Sequence, residues 1–264
     1  MNKPVLFGHS TFVKSDDLIL NSIDPLDLLK RLEYFRKIDK KNIDINELQK
    51  YICSTIVAHC NFYREYKKGI SLYRLREVES EYYTEKKDLI YPPSNKSTLG
   101  RLNRKNQSML YVSLDSITPF YEIKNLKSGD KLCLIEYEII SDEFVASVIG
   151  EEGEFPENYL NHTGLINHKI IEQFLCTEIT KEVGNEYKYI YNIINFLADT
   201  YYNIPKTIGY EYPSVVNNNK INLAIFPKDA DDKIRIKEVK NIIFEGFVDE
   251  IPKYEIISTN NSIR

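Results

Sequence analysis

The apolar period of the chain changes at Ile70, and that change restricts the fold more than any other feature of the sequence. Before it, Leu26, Leu28, Leu29, Leu32 and Phe35 recur near helical spacing behind Asp24-Pro25, a helix start with proline in the first turn. Leu48, Tyr51, Ile52, Ile56 and Phe62 or Tyr63 do the same behind Asp44, with Glu47 three residues on as in a capping box. The first 68 residues therefore read as a helical hairpin.

After Ile70 the pattern is mixed. Ile70 to Leu75 alternates as a short strand, and Glu77 to Gly100, with Pro92 and Pro93, reads as a long loop. Met109 to Leu114 is a compact apolar run, and Asp115 or Ser116 can cap a short helix over Thr118 to Ile123. Leu132 to Ile140 alternates as a strand. Ile166 to Ile179 and Tyr187 to Tyr201 have helical spacing, and Ile208 to Pro213, Leu223 to Phe226 and Ile242 to Val248 read as strands. Without a regular βαβ alternation, the expected class is α+β, with a helical accessory region over residues 1–68 and a second domain over residues 69–264.

Composition excludes several classes of function. The 35 Lys and Arg residues against 39 Asp and Glu leave no basic excess to drive nucleic-acid binding, although an anionic small molecule is compatible. Uncharged stretches such as Tyr51 to Tyr63 fall short of the roughly 20 apolar residues of a membrane span, and the N-terminus lacks a signal-peptide core, so the expected setting is cytoplasmic. Cys53, Cys60, Cys133 and Cys176 are scattered without metal-ligand spacing and are expected as free thiols. Cys53, His59 and Cys60 together suggest a metal, but Cys53 and Cys60, seven apart, read as one packed apolar helix face, and no metal site is expected. Glycine-rich nucleotide loops, H-E-x-x-H and G-x-S-x-G are all absent. Glu136-x-Glu138 puts two carboxylates on one side of a strand, either for acid–base work or as a solvated edge.

Arginine is scarce, nine residues against 26 lysines, yet Arg74, Arg76, Arg101 and Arg104 fall within 31 residues. Arginine makes bidentate contacts to phosphate that lysine cannot. Around these residues lies an ordered set of short motifs: Leu72-Tyr73-Arg74, Gly100-Arg101-Leu102-Asn103, Leu110-Tyr111-Val112-Ser113-Leu114-Asp115 and Thr118-Pro119-Phe120-Tyr121-Glu122. Tyr212-Pro213-Ser214 and Asn222-Leu223-Ala224-Ile225-Phe226 follow downstream. In order and gaps this set, spanning residues 70–227, resembles the RES-domain family. Pro119 stands where that family often has a small residue, and Arg104-Lys105-Asn106 stands where a glycine is expected.

The resemblance implies an α+β RES domain similar to the ADP-ribosyltransferase toxin fold, with an N-terminal helical extension. It also implies a toxin of a toxin–antitoxin pair that cleaves the nicotinamide–ribose bond of NAD⁺, some relatives doing so by phosphorolysis. NAD⁺ is then substrate and not cofactor, inorganic phosphate or water is the acceptor, and an antitoxin protein is the partner; a homo-oligomer is compatible. On this reading Arg74 and Arg101 clamp the diphosphate, and Glu122 stabilises the positive charge developing on the ribose. Tyr111 and Tyr73 shape or stack on the nicotinamide pocket, Ser214 hydrogen-bonds the ribose or carboxamide, and Asn103 fixes the Arg101 turn. The plainer alternatives stay open: Arg74 paired with Glu77 or Glu79, Tyr111 in the core, Ser214 as a turn cap. So do transfer of ADP-ribose to a macromolecule and a non-catalytic nucleotide-binding module.

Overall fold

The computed structural model describes residues 1, 3, 5–11, 19–78, 81–83, 85–157, 159–183, 190–217 and 220–261. In chain order its elements are β1 (Val5–Thr11), α1 (Pro25–Lys37), α2 (Ile45–Thr55), β2 (Ala58–Tyr66), β3 (Ser71–Glu77), α3 (Lys86–Leu89), β4 (Leu110–Ser113), α4 (Thr118–Glu122), β5 (Lys131–Ile139) and β6 (Phe144–Val148). They continue with α5 (His162–Thr180), α6 (Ile190–Tyr201), β7 (Gly209–Pro213), β8 (Ile221–Ile225), α7 (Pro227–Lys233), β9 (Ile234–Val248) and β10 (Ile251–Asn260). The class is mixed α and β, as the pattern predicts.

The chain divides into two compact units of three stretches each: Met1–Arg64, Leu99–Lys105 and Ser147–Thr207, and Glu65–Thr98, Asn106–Ala146 and Ile208–Arg264. A contiguous accessory region over residues 1–68 is therefore not how the chain partitions; α5 and α6 belong to the same unit as α1 and α2.

In the first unit the local start signals work as read. An Asp24 side-chain oxygen accepts from the Leu26 N–H at 2.8 Å, and that of Asp44 accepts from the Asn46 N–H at 2.6 Å. The two helices bury Leu28, Leu32 and Phe35, and Leu48 and Ile52. The second helix ends at Thr55, however, and the expected continuation to Phe62 or Tyr63 is strand β2, paired antiparallel with β1. β2 is buried on both faces over most of its length, and Ala58, Cys60 and Phe62 alternate along it with His59, Asn61 and Tyr63, the period of a strand and not of a continued helix. The described part of the expected Tyr187–Tyr201 helix is α6; positions 187–189 lie outside the described residues.

In the second unit the strands run in the hydrogen-bonded order β6-β7-β8-β4-β3-β5-β9-β10. From β7 to β10 each neighbouring pair is antiparallel. Alternation puts one apolar cluster on each face. Leu72, Leu110, Val112, Ile135, Tyr137 and Leu223 pack on one side, and Leu75, Phe120, Leu132, Leu134, Ile242 and Phe244 on the other. Strands β6 and β10 and helix α7 were not anticipated by the sequence pattern.

β7 enters the sheet through Gly209, held at φ +144°, where an added Cβ would lie 1.9 Å from the Ala224 carbonyl oxygen of β8. Gly209→Ala combines a backbone conformation unfavourable to L side chains with a clash that only strand movement relieves. A loss of about 3 kcal/mol is expected, read as a lowered urea midpoint at unchanged m-value.

Candidate functional site

The register of three strands assembles a polar cluster in the second unit. Tyr73 of β3 stands opposite Ser113 of β4, and Ser113 stands opposite Asn222 of β8, so their side chains share one face of the sheet. Ser113 Oγ donates to Asn222 Oδ1 at 2.6 Å, which orients the amide so that Asn222 Nδ2 donates to Glu122 Oε1 at 2.7 Å. Ser214 Oγ donates to the same carboxylate oxygen at 2.9 Å while accepting from the Asn217 N–H at 3.1 Å. Ser214 thus caps a turn, as the plainer reading held, and also fixes Glu122.

Glu122 reaches this position because Asp115 starts α4. Its Oδ1 accepts from the Ile117 and Thr118 N–H groups at 2.9 and 2.8 Å, and its Oδ2 accepts from Thr118 Oγ1 at 2.8 Å. Asn217 Nδ2 donates to Thr118 Oγ1 at 3.1 Å, tying the turn after β7 to the same helix start. Phe120 anchors α4 on Phe244 and stacks on Tyr254 with ring centroids 5.5 Å apart. Glu122 is exposed, and among the described residues no cation pairs with it and its Oε2 accepts no hydrogen bond. One carboxylate oxygen is held and the other is open.

Tyrosines floor this side of the sheet. Tyr73 and Tyr111 are half-buried; Tyr212, opposite Asn222, and Tyr210, opposite Ala224, are buried. The sequence reading found Tyr73, Tyr111, Glu122 and Ser214, and the structure brings these four to one face. It missed Ser113, Asn222 and Tyr210, whose roles depend on pairing across strands.

Arg74 lies elsewhere. Consecutive strand residues point to opposite faces, so Arg74, beside Tyr73 in sequence and opposite Ile135 of β5, joins the Leu72 and Tyr137 side of the sheet. Its Nη1 donates to the Ile90 carbonyl and its guanidinium lies against the Tyr137 hydroxyl; burial pushes its pKa down. No carboxylate pairs with it among the described residues, so the expected partnership with Glu77 is not formed; Glu79 lies outside the described residues. The sheet stands between Arg74 and Glu122.

Arg101 and Asn103 belong to the first unit. Arg101 Nη1 donates to the Ile179 and Lys181 carbonyls at 2.6 and 2.9 Å, satisfying acceptors left open at the end of α5. The turn carrying it is closed by the main chain, with the Gly100 N–H donating to the Asn103 carbonyl at 3.0 Å, and Asn103 Nδ2 donates to the Arg104 carbonyl at 3.1 Å. Glu136 and Glu138 are both paired. Glu136 accepts from Lys237 Nζ and Ser71 Oγ at 2.7 Å, and Glu138 accepts from Arg235 Nε at 2.7 Å. Burial alone would raise the Glu136 carboxyl; the Lys237 ammonium and Ser71 hydroxyl outweigh it and hold it below its ordinary value.

A second polar cluster, missed by the sequence reading, sits inside the first unit. Glu172 of α5, 5% exposed, accepts from the Gly150 N–H at 2.7 Å and from the Tyr202 hydroxyl at 2.9 Å, and lies 2.8 Å from His59 Nε2. Burial alone would raise its pKa, but His59 and the Gly150 N–H overcome that and keep it below the usual carboxylate value. Burial first, and then this charge, push the Tyr202 hydroxyl well above its ordinary value. A cavity of about 450 Å³ beside it is lined by Gly150, Glu152, Lys169, Glu172, Gln173 and Cys176. Burial also pushes the Cys60 thiol up to about 12, so it is no nucleophile. The available signal was an acid on the buried face of α5, beside Ile171 and Leu175.

All four cysteines are free. Among the described residues no group of three or more His, Cys, Asp or Glu side chains could hold a metal ion, and no helix is long and apolar enough to cross a membrane. No protein-family model, curated protein or solved structure matches the chain.

Glu172 yields a sign-definite prediction. Its folded pKa is depressed, so the stability it contributes is complete above the unfolded value of about 4.3 and is lost as pH falls through the folded value. Glu172→Gln is expected to cost about 3 kcal/mol at neutral pH and to flatten the acid limb of stability against pH, measured by urea unfolding across that range.

Proposed function

We propose that the chain is an NAD⁺-degrading enzyme that breaks the nicotinamide–ribose bond, in keeping with its resemblance to RES domains and with the related ADP-ribosyltransferase toxin fold. The observation that carries this reading is the Glu122 carboxylate, fixed through one oxygen by Ser214 and Asn222 and open at the other. When the C1′–N bond breaks, the bonding pair leaves with nicotinamide and the ribose takes on oxocarbenium character. A carboxylate held in place stabilises that charge without reorganising. Water, losing a proton, or inorganic phosphate then bonds to C1′.

Tyr73 and Tyr111, half-buried on the same face, supply aromatic surface for the nicotinamide ring. Arg74, across the sheet, serves in this reading to hold the Ile90 segment and not the diphosphate. Transfer of ADP-ribose to a macromolecule is the weaker reading, since Glu136 and Glu138 are occupied by Lys237 and Arg235. A toxin role in the cytoplasm with an inhibitory protein partner belongs to the same proposal.

The test is nicotinamide release from NAD⁺ by the purified chain, with and without phosphate. Release by the parent is expected, with Glu122→Gln reducing kcat by about 10²- to 10³-fold and Ser214→Ala by about tenfold. Glu136→Gln should leave turnover unchanged. A parent chain that releases no nicotinamide under either condition ends this reading.

A further inference from the structure

Among the described residues the C-terminal hairpin forms the end of the sheet, and its outer strand carries its own charge code. β9 and β10 are joined by Asp249-Glu250, both at positive φ, 49° and 62°, as in a type I′ hairpin. In such a hairpin the flanking pair, Val248 and Ile251, exchanges both backbone hydrogen bonds. Along β10, Ile251, Lys253 and Glu255 therefore turn their backbone groups toward β9, and Pro252, Tyr254 and Ile256 turn theirs outward. The one register shift in this stretch leaves its extra residue, Glu245, on β9, so β10 stays regular from Ile251 to Ile256. Pro252 sits where its missing N–H removes nothing from the β9 ladder.

Among the described residues β10 is the last strand in the sheet order. Five large apolar side chains of this hairpin, Phe247, Val248, Ile251, Ile256 and Ile257, are between 42% and 55% exposed, a cluster where isolated ones would need no explanation. Lys253 and Glu255 flank the centre of the edge, both exposed and neither with an ion-pair partner among the described residues. Among the described residues no strand pairs with the outer side of Ile251–Ile256, and such an edge is a template for another strand.

We propose that the occupant is a second copy of this chain, paired antiparallel across β10 about a two-fold axis at Tyr254. That register sets Lys253 of each copy opposite Glu255 of the other, twice over, in the close non-hydrogen-bonded positions. Tyr254 meets its own copy with two backbone hydrogen bonds, and the Ile256 N–H reaches the other copy's Pro252 carbonyl. Moving the axis to Lys253 opposes two lysines, and moving it to Glu255 opposes two glutamates, so charge selects the central register.

The mass of the full chain by sedimentation equilibrium over a concentration series tests this, with circular dichroism reporting the fold of each variant. The parent is expected to rise from 31.0 kDa toward twice that mass. K253E and E255K should each weaken association by about tenfold or more, because each places like charges face to face in both halves. The double exchange K253E/E255K should restore it, since both pairs return in reverse. A parent that stays at the mass of one chain, or a dimer insensitive to both single exchanges, overturns the proposal, and so does a double exchange that fails to recover association lost in the singles.

Discussion

Because side chains alternate across an antiparallel sheet, the register shared by β3, β4 and β8 decides which chemistry can meet in the second unit. Placing Tyr73, Ser113 and Asn222 in one row creates a hydrogen-bond relay that ends on one oxygen of Glu122. A slip of one residue in β4 would send Ser113 to the apolar cluster and bring Val112 or Leu114 to the polar face. The same rule sends Arg74 to the far side. The local start of α4 at Asp115 matters only because this row is there to receive Glu122.

Two carboxylates show how environment divides roles. Glu172 is enclosed and satisfied by a backbone N–H, a tyrosine hydroxyl and a histidine, an arrangement that joins β2, α5 and the segment after α6. Breaking such a cluster leaves polar groups without water, which is why its weight falls on stability. Glu122 is held on one side and exposed on the other, the arrangement of a group that can meet a ligand. The cations follow the same division: Lys237 and Arg235 are spent on Glu136 and Glu138, and Arg101 on the carbonyls of α5.

Much of the candidate site was legible in the sequence. Glu122, Ser214, Tyr73 and Tyr111 were named from short ordered motifs, and those four share a face. The opposite orientation of Arg74 was also legible, since neighbours in a strand cannot point the same way. Asn222 and Ser113 were not, because nothing in Leu110–Ser113 or Ile221–Ile225 announces that their ends will pair across 109 residues. The His59–Glu172 pair, 113 residues apart, was hidden for the same reason.

The sequence by itself determined what neighbours within a few residues can set. Asp24-Pro25 and Asp44 start the first two helices, Asp115 starts α4, alternation writes β3 and β5, and a two-residue turn with positive φ closes the last hairpin. The tertiary structure alone decided that α5 and α6 join the N-terminal helices in one unit, that the strands follow the order β8-β4-β3-β5, and that Glu122 meets Ser214 and Asn222. Caps and turns are satisfied by groups already adjacent in the chain. Strand partners and buried ion pairs form only after long loops close, so their identity depends on the packing of the whole unit and leaves no mark on the local pattern.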